Sequence, residues 1–413
     1  MSSNAIKLNN KGEIKRSNRR NFWVASISES IIDFSSYASK TYLPNYIVSI
    51  GGTEELVGRI SSLGYFIWAL VQPSGGYLCD KIGRRSVIIY LTGLLALSYL
   101  IYSLAPSWHV ILIAMILESI SSMYIPALQT LLAESLEEKE RTRGFLILNV
   151  LSNALSIPAP YLGGLIIEKV GSVKGNRYVF LLASVLIFTM LIMRFFLLKE
   201  TYGGMKVNVA KTKSLNSVIY HLKGVFKVIK RMSKPLLILL LIESLTFSLP
   251  MGLLSPYMIR YASSKGVTEE RWGEIISVAR LAYFITVIGM MPIMNKLPST
   301  YYLFLGSIMA SISMALFPNG YFLQSAILLL IAQAIYGAAI LSLFSSMASS
   351  DIRGTIMGIS SMISMLLGAS GSFIASFMYP RNPIMNFISA SVLFLIGAIV
   401  ILPISKLIRD YIS

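Results

Sequence analysis

The sequence predicts an all-α integral membrane protein with about twelve transmembrane helices in two six-helix, pseudo-symmetric bundles. Three observations carry that prediction. The 413 residues are 55% hydrophobic and only 13% charged, where a soluble domain carries about 25% charge. Apolar runs of roughly 18 to 25 residues recur along the chain, long enough to cross a hydrocarbon core of about 30 Å. Finally, two distant stretches repeat each other, "GTEELVGRI" (52–60) and "VTEERWGEI" (267–275). A membrane β-barrel would instead need alternating segments of about ten residues, and these are absent.

The first six spans are expected near 22–47, 57–79, 86–105, 109–133, 143–169 and 177–198, and the second six near 235–260, 271–295, 300–318, 321–349, 354–379 and 384–408. This divides the chain into an N-terminal tail (1–21), a first bundle (22–198), a basic linker (199–234), a second bundle (235–408) and a short C-terminal tail (409–413). An amphipathic helix is expected over 215–231. The repeat supports the division: Thr53, Glu54, Glu55 and Gly58 fall on Thr268, Glu269, Glu270 and Gly273 at a spacing of 215 residues. The same spacing sets Asp80 and Lys81 on Asn295 and Lys296, and Glu118 on Gln333. Two parallel repeats place a substrate path near the midplane, where they meet.

The net charge is +17, yet its placement argues against a nucleic-acid partner. Basic residues gather in alternate connections: before the first span, at Lys81, Arg84 and Arg85, at Arg141 and Arg143, from Lys199 to Lys234, at Arg353, and at Lys406 and Arg409. That is the positive-inside pattern, and it puts both termini in the cytoplasm. A multi-pass protein of the plasma membrane, bathed by lipid and monomeric, is expected. The polar, basic start leads into a run too long for a signal-peptide core, so the first span is expected to be retained. One cysteine, Cys79, excludes an internal disulfide framework. The two histidines, His109 and His221, stand apart. Neither a metal-ligand cluster nor a phosphate-binding loop nor a nucleophile–base pair stands out, so no metal, no cofactor and no enzymatic activity are expected.

Between the second and third spans lies "GYLCDKIGRR", Gly76 to Arg85. Its spacing of Gly76, Asp80, Lys81, Gly83, Arg84 and Arg85 resembles the signature loop of the major facilitator superfamily. A basic turn that merely sets topology would explain Lys81, Arg84 and Arg85 but not the glycines and the acid. The resemblance implies a loop that latches the two halves on the cytoplasmic side, with Asp80 docking on the helix that starts near Gly354. Asp80 could equally pair with Arg84 or Arg85. The second-half copy, Asn295-Lys296-Leu297-Pro298, lacks the acid and the glycine, so one working latch is expected.

Two further stretches point to a branch of that family. "YIPALQTLLAES" with "ERTRG" (124–144) resembles the fourth-to-fifth-span passage of its drug and solute transporters. "PAPYLGG" (158–164), with Pro158, Pro160, Gly163 and Gly164, is similar to the span-five element of its proton antiporters. Ala159 replaces a glycine there, and plain helix packing would also explain small residues beside proline. Many proton-driven exporters carry an arginine in span four where this chain has Ala114.

Ionisable residues at membrane depth are functional candidates by default. In "SESIIDFSSYASK" (28–40), Glu29, Asp33, Tyr37 and Lys40 follow helical spacing and form one polar stripe. Asp33 lies about 16 Å into the first span, near the midplane. Glu118, Glu243 and Arg280 reach similar depth. The resemblance implies that spans one, four, seven and ten line the cavity, with span eight beside them. Asp33 and Glu118 are then the expected proton or cation sites. Structural pairs, Glu29 with Lys40 or Glu243 with Arg280, are the alternative for the others, and Lys40 or Arg280 could instead hold an anionic substrate. Asn149, Asn153, Gln333 and Tyr336 are candidate hydrogen-bonders.

The expected function is secondary transport of a small organic substrate by alternating access, as efflux coupled to H+. The alternative is proton-coupled import of a sugar, organic acid or other metabolite. A membrane sensor on the same fold is a further, minor alternative.

Overall fold

A computed structural model describes residues 2–137, 140–201, 232–293, 296–347 and 353–412. The described residues are helical, with no strand among them. The expected helix at 215–231, His221 and Asn295 lie outside the described residues.

The first half holds α1 (Ser2–Lys40), α2 (Leu43–Ser49), α3 (Glu54–Ile82), α4 (Arg84–Leu104), α5 (Trp108–Ser121), α6 (Tyr124–Glu134), α7 (Arg141–Ser156), α8 (Ala159–Val170) and α9 (Ser172–Leu197). The second holds α10 (Lys234–Glu243), a π turn (Ser244–Ser248), α11 (Leu249–Leu254), α12 (Met258–Ser264), α13 (Glu269–Met290), α14 (Ser299–Leu316), α15 (Phe322–Met347), α16 (Arg353–Met378) and α17 (Pro383–Ile412). Among the described residues, ten segments are long and apolar enough to cross a membrane. The expected first and second spans, within α1–α2 and α3, are helical but fall outside those ten. In α1 the cause is the run of serines and ionisable groups, which needs a protein or water environment and not lipid.

Successive spans alternate in direction, so the molecule has two ends. One carries the Gly83 turn between α3 and α4, here the loop end. The other carries Thr53 and Thr268, here the turn end. Both threonines cap their helices, Thr53 accepting from the Leu56 N–H at 3.3 Å and Thr268 from Arg271 at 3.2 Å. Acids follow in each first turn, Glu54 and Glu55, then Glu269 and Glu270, where the helix dipole favours them. The repeated Thr-Glu-Glu motif is thus a helix start, used twice.

The packing also repeats. Near the turn end Tyr46, Tyr102 and Phe180 form a buried cluster, Tyr102 stacking on Phe180 at 4.7 Å. Tyr261, Phe317 and Phe387 form its counterpart, with Phe317 and Phe387 centroids 4.8 Å apart. Ser184 donates to the Ala96 carbonyl at 2.9 Å, and Ser391 donates to that of Ser311 at 2.8 Å. Between the halves, α3 packs along α16 and α8 along α13.

Candidate functional site

The polar stripe of α1 meets partners from six other helices. Glu29 accepts from Arg194 of α9 at 2.8 Å and from the Tyr124 hydroxyl of α6 at 2.9 Å. Arg194 is fully buried and also donates to Ser28 and Thr92, at 2.8 and 2.7 Å. A buried charge needs such complete pairing. One turn on, Asp33 accepts a hydrogen bond from Ser152 of α7, and Glu29, Arg280 and Arg194 all lie within its electrostatic reach. Tyr37 carries the Arg280 guanidinium of α13 over its ring at 3.5 Å, a cation–π contact between the halves. Lys40 is paired with Glu118 of α5, whose carboxylate also accepts from the Tyr102 hydroxyl at 2.8 Å.

These contacts differ from the pairs expected from the sequence. Lys40 and Glu29 lie roughly 16 Å apart along one helix, and each finds its partner on a neighbour. Glu243 does not meet Arg280. It accepts from Ser248 at 2.7 Å, Ser364 at 2.8 Å and Ser244 at 3.1 Å. Gln333 reaches the Met251 sulfur at 3.3 Å. Asn149 and Asn153 donate back to carbonyls of their own helix, Phe145 and Asn149. Both line a cleft between α7 and α13, towards the loop end, opposite Phe284 and Val287. Arg194 was not among the sequence candidates, because it sits in the last turn of its span and reads as one more basic residue beside the linker.

At the loop end, Gly83 has φ +87°, a conformation that favours glycine. The signature arginines bind their own half: Arg84 pairs with Glu134 at 2.6 Å, and the Arg84 and Arg85 N–H groups donate to Glu200 at 3.1 Å. Arg85 also reaches the Leu198 carbonyl at 2.8 Å. The side chains of Asp80 and Lys81, the surroundings of Gly76 and those of Gly354 lie outside the described residues.

The turn end is where the halves are joined. Arg260 clasps the Glu54 carboxylate and donates to the Asn45 amide oxygen at 3.0 Å. Asn45 in turn reaches Ser263 at 2.9 Å and Glu269 at 3.4 Å. Tyr257 donates to the Glu54 carbonyl at 2.7 Å, and Tyr42 donates to that of Pro160 at 2.5 Å. A Cβ at Gly58 would stand 2.6 Å from the Tyr257 hydroxyl, and one at Gly273 would stand 2.5 Å from the Pro160 carbonyl. Side chains at Gly163 and Gly164 would run into the Ala38 and Glu269 carbonyls. Pro158 caps α8, so the span-five element serves these close approaches. The hydrogen bonds that join described residues of the two halves all lie in the turn half.

A multi-pass helical protein with charges lining an interior seam has the build of a membrane transporter. The chain belongs to the Major Facilitator Superfamily, whose sequence model matches residues 25–372; it is a transporter and not an enzyme. A relative from Methanocaldococcus jannaschii, described as the uncharacterized MFS-type transporter MJ1317, is 25% identical over 407 residues, 96% of this chain and 97% of that protein. The quinolone resistance protein NorA of Staphylococcus aureus is 23% identical over 127 residues, 30% of this chain and 33% of NorA. Among solved structures, the peptide transporter POT in complex with sulfate shares the fold at a TM-score of 0.76, with 16% identity, covering 95% of each chain.

Proposed function

We propose that this transporter moves small organic molecules by alternating access and exchanges them for protons, in the direction of efflux. The observation that carries the reading is Asp33. Of the acids on the α1 stripe, Glu29 is matched by Arg194, while Asp33 is held by a serine hydroxyl. Glu118, the other expected proton site, is neutralised by Lys40, so the coupling role falls on Asp33. A carboxylate with no direct ion pair of its own can trade a proton for a cationic group of the substrate. The partial likeness to NorA favours the efflux branch. With the basic loop end in the cytoplasm, the hydrogen-bonded turn end would face outwards. The two six-helix bundles, 22–198 and 235–408, would then rock about the seam as a monomer in the plasma membrane.

The test is transport in proteoliposomes under an imposed pH gradient, with a panel of organic compounds. Substrate-driven proton movement is expected in the wild type and is expected to be lost in Asp33→Asn. Glu118→Gln is expected to lower transport through the stranded Lys40, leaving the proton stoichiometry intact. Normal coupled transport by Asp33→Asn would refute the assignment.

A second reading, import of an organic acid with protons, is favoured by Arg280. Its Nε has no acceptor among the described residues, and the cation that could have competed for an anion, Lys40, is occupied. Loss of anion uptake alone in Arg280→Gln would select this reading.

A further inference from the structure

The two halves hold the same acid in different company. Glu29 and Glu243 occupy corresponding places in the first and seventh spans. Their separation is one residue short of the 215-residue spacing of Asn45 and Arg260. The π turn Ser244–Ser248 lies between the two registers and supplies the extra residue, as such turns do.

In the first half Arg194 neutralises the acid. The serines that tie α9 to α4 and α17 to α14 in the same way, Ser184 and Ser391, fix the match between these spans. Counting on equally from each leads to Arg194 in one half and to Ile401 in the other. Ile401 is buried, 3% exposed. The rest of the arginine's nest has changed with it. Thr92, which accepts from Arg194, corresponds to Ser307, whose buried hydroxyl has no partner among the described residues. Tyr124 donates to Glu29 from the fourth span. From the tenth, Tyr336 stacks on Phe247 at 3.9 Å, and its buried hydroxyl, beside Thr246 and Glu243, makes no hydrogen bond of good geometry to a described residue.

Around Glu243, then, stand Ser244 and Ser248 of its own segment, Ser364 of α16 and Tyr336 of α15, while the repeat sets the apolar Ile401 of α17 where the first half has its arginine. No basic side chain among the described residues bridges to it. An acid 8% exposed cannot remain an uncompensated anion there without a heavy cost. We infer that Glu243 is an exchangeable-cation site, at which a monovalent cation, H+ or Na+, takes the place that the Arg194 guanidinium fills beside Glu29. The serine hydroxyls provide the remaining oxygen ligands for Na+, or the hydrogen-bonding shell of a protonated carboxyl.

The inference rests on the reading of this chain as an ion-coupled transporter. Its test measures binding without substrate, so the two can fail separately. Purified full-length protein is compared with Glu243→Gln, which is isosteric, and with Ile401→Arg, which restores the first-half arrangement. In one arm, protons taken up on acidification are counted with a pH dye; wild type is expected to take up one more per chain than either variant. In the other arm, the unfolding temperature is measured in NaCl against KCl; a sodium-specific rise is expected to vanish in both variants. A difference in the first arm assigns the proton, and one in the second assigns sodium. If folded Glu243→Gln matches the wild type in both arms, the inference is overturned. Should Ile401→Arg not fold, Glu243→Gln alone decides.

Discussion

The two ends of the molecule use the repeat in opposite ways. At the turn end both copies of the Thr-Glu-Glu-x-x-Gly motif take part in one interface. At the loop end only the first-half loop, Gly76 to Arg85, keeps the full signature, and its arginines bind within their own half. A two-fold interface is self-complementary, so a residue on the axis meets its own copy. Asn45 and Arg260, 215 residues apart, are such a pair. Arginine at both positions would set like charges together on the axis. Asparagine on one side lets the arginine on the other hold Glu54. Duplication supplied the seal, and a single asymmetry made it work.

The strongest way to break this contrast is to fill the space at the crossing. Gly58→Leu or Gly273→Leu would drive a side chain into backbone and tyrosine hydroxyl. Overpacking of that kind costs about 1–3 kcal/mol, so closure of the turn end is expected to weaken by about fivefold to a hundredfold or more. The measurement is the labelling rate of a single cysteine at Ser255, in a Cys79→Ser background, by a membrane-impermeant maleimide. Rates equal to the parent would show that the glycines do not set the approach.

Next comes the arginine. Arg260→Asn leaves Glu54 without its cation and is expected to cost about 1.4 kcal/mol of the seal, roughly tenfold in labelling. Asn45→Arg alone is expected to weaken it comparably, through repulsion across the axis. The double variant Asn45→Arg/Arg260→Asn exchanges the two sides, so that the new arginine faces Glu269. Recovery to within about threefold of the parent is expected from near-symmetry. Additive damage would mean that the two sides are not interchangeable.

Much of this was legible in the sequence, and the remainder failed for physical reasons. The seal's acids and glycines are local signals: a capping threonine, acids in a first turn, and a glycine one turn further on. The depth of Glu29, Asp33, Lys40, Glu118, Glu243 and Arg280 could be counted from span edges. Their partners could not, because pairing is decided by which helix lies alongside. Lys40 finds Glu118 on α5, and Glu29 finds Arg194 on α9. The π turn after Glu243 adds a residue without changing hydropathy, so the match of Glu243 to Glu29 appears only once the backbone is traced. The loss of Arg194's counterpart is then visible as Ile401, an unremarkable residue in an apolar run.

The smallest effect expected at the turn end separates the two acids of the seal. Glu54 is clasped by a guanidinium, which reaches both carboxylate oxygens, whereas Glu269 accepts one neutral amide at 3.4 Å. Charge-assisted, bidentate contacts are about twice as strong as neutral ones, and a bond as long as the second is worth little. Glu54→Gln should therefore behave like Arg260→Asn, while Glu269→Gln should change labelling by less than about twofold. In the exchanged double variant the order must reverse, since the arginine now faces Glu269. Equal sensitivity of both acids in either background would remove the asymmetry on which the comparison depends.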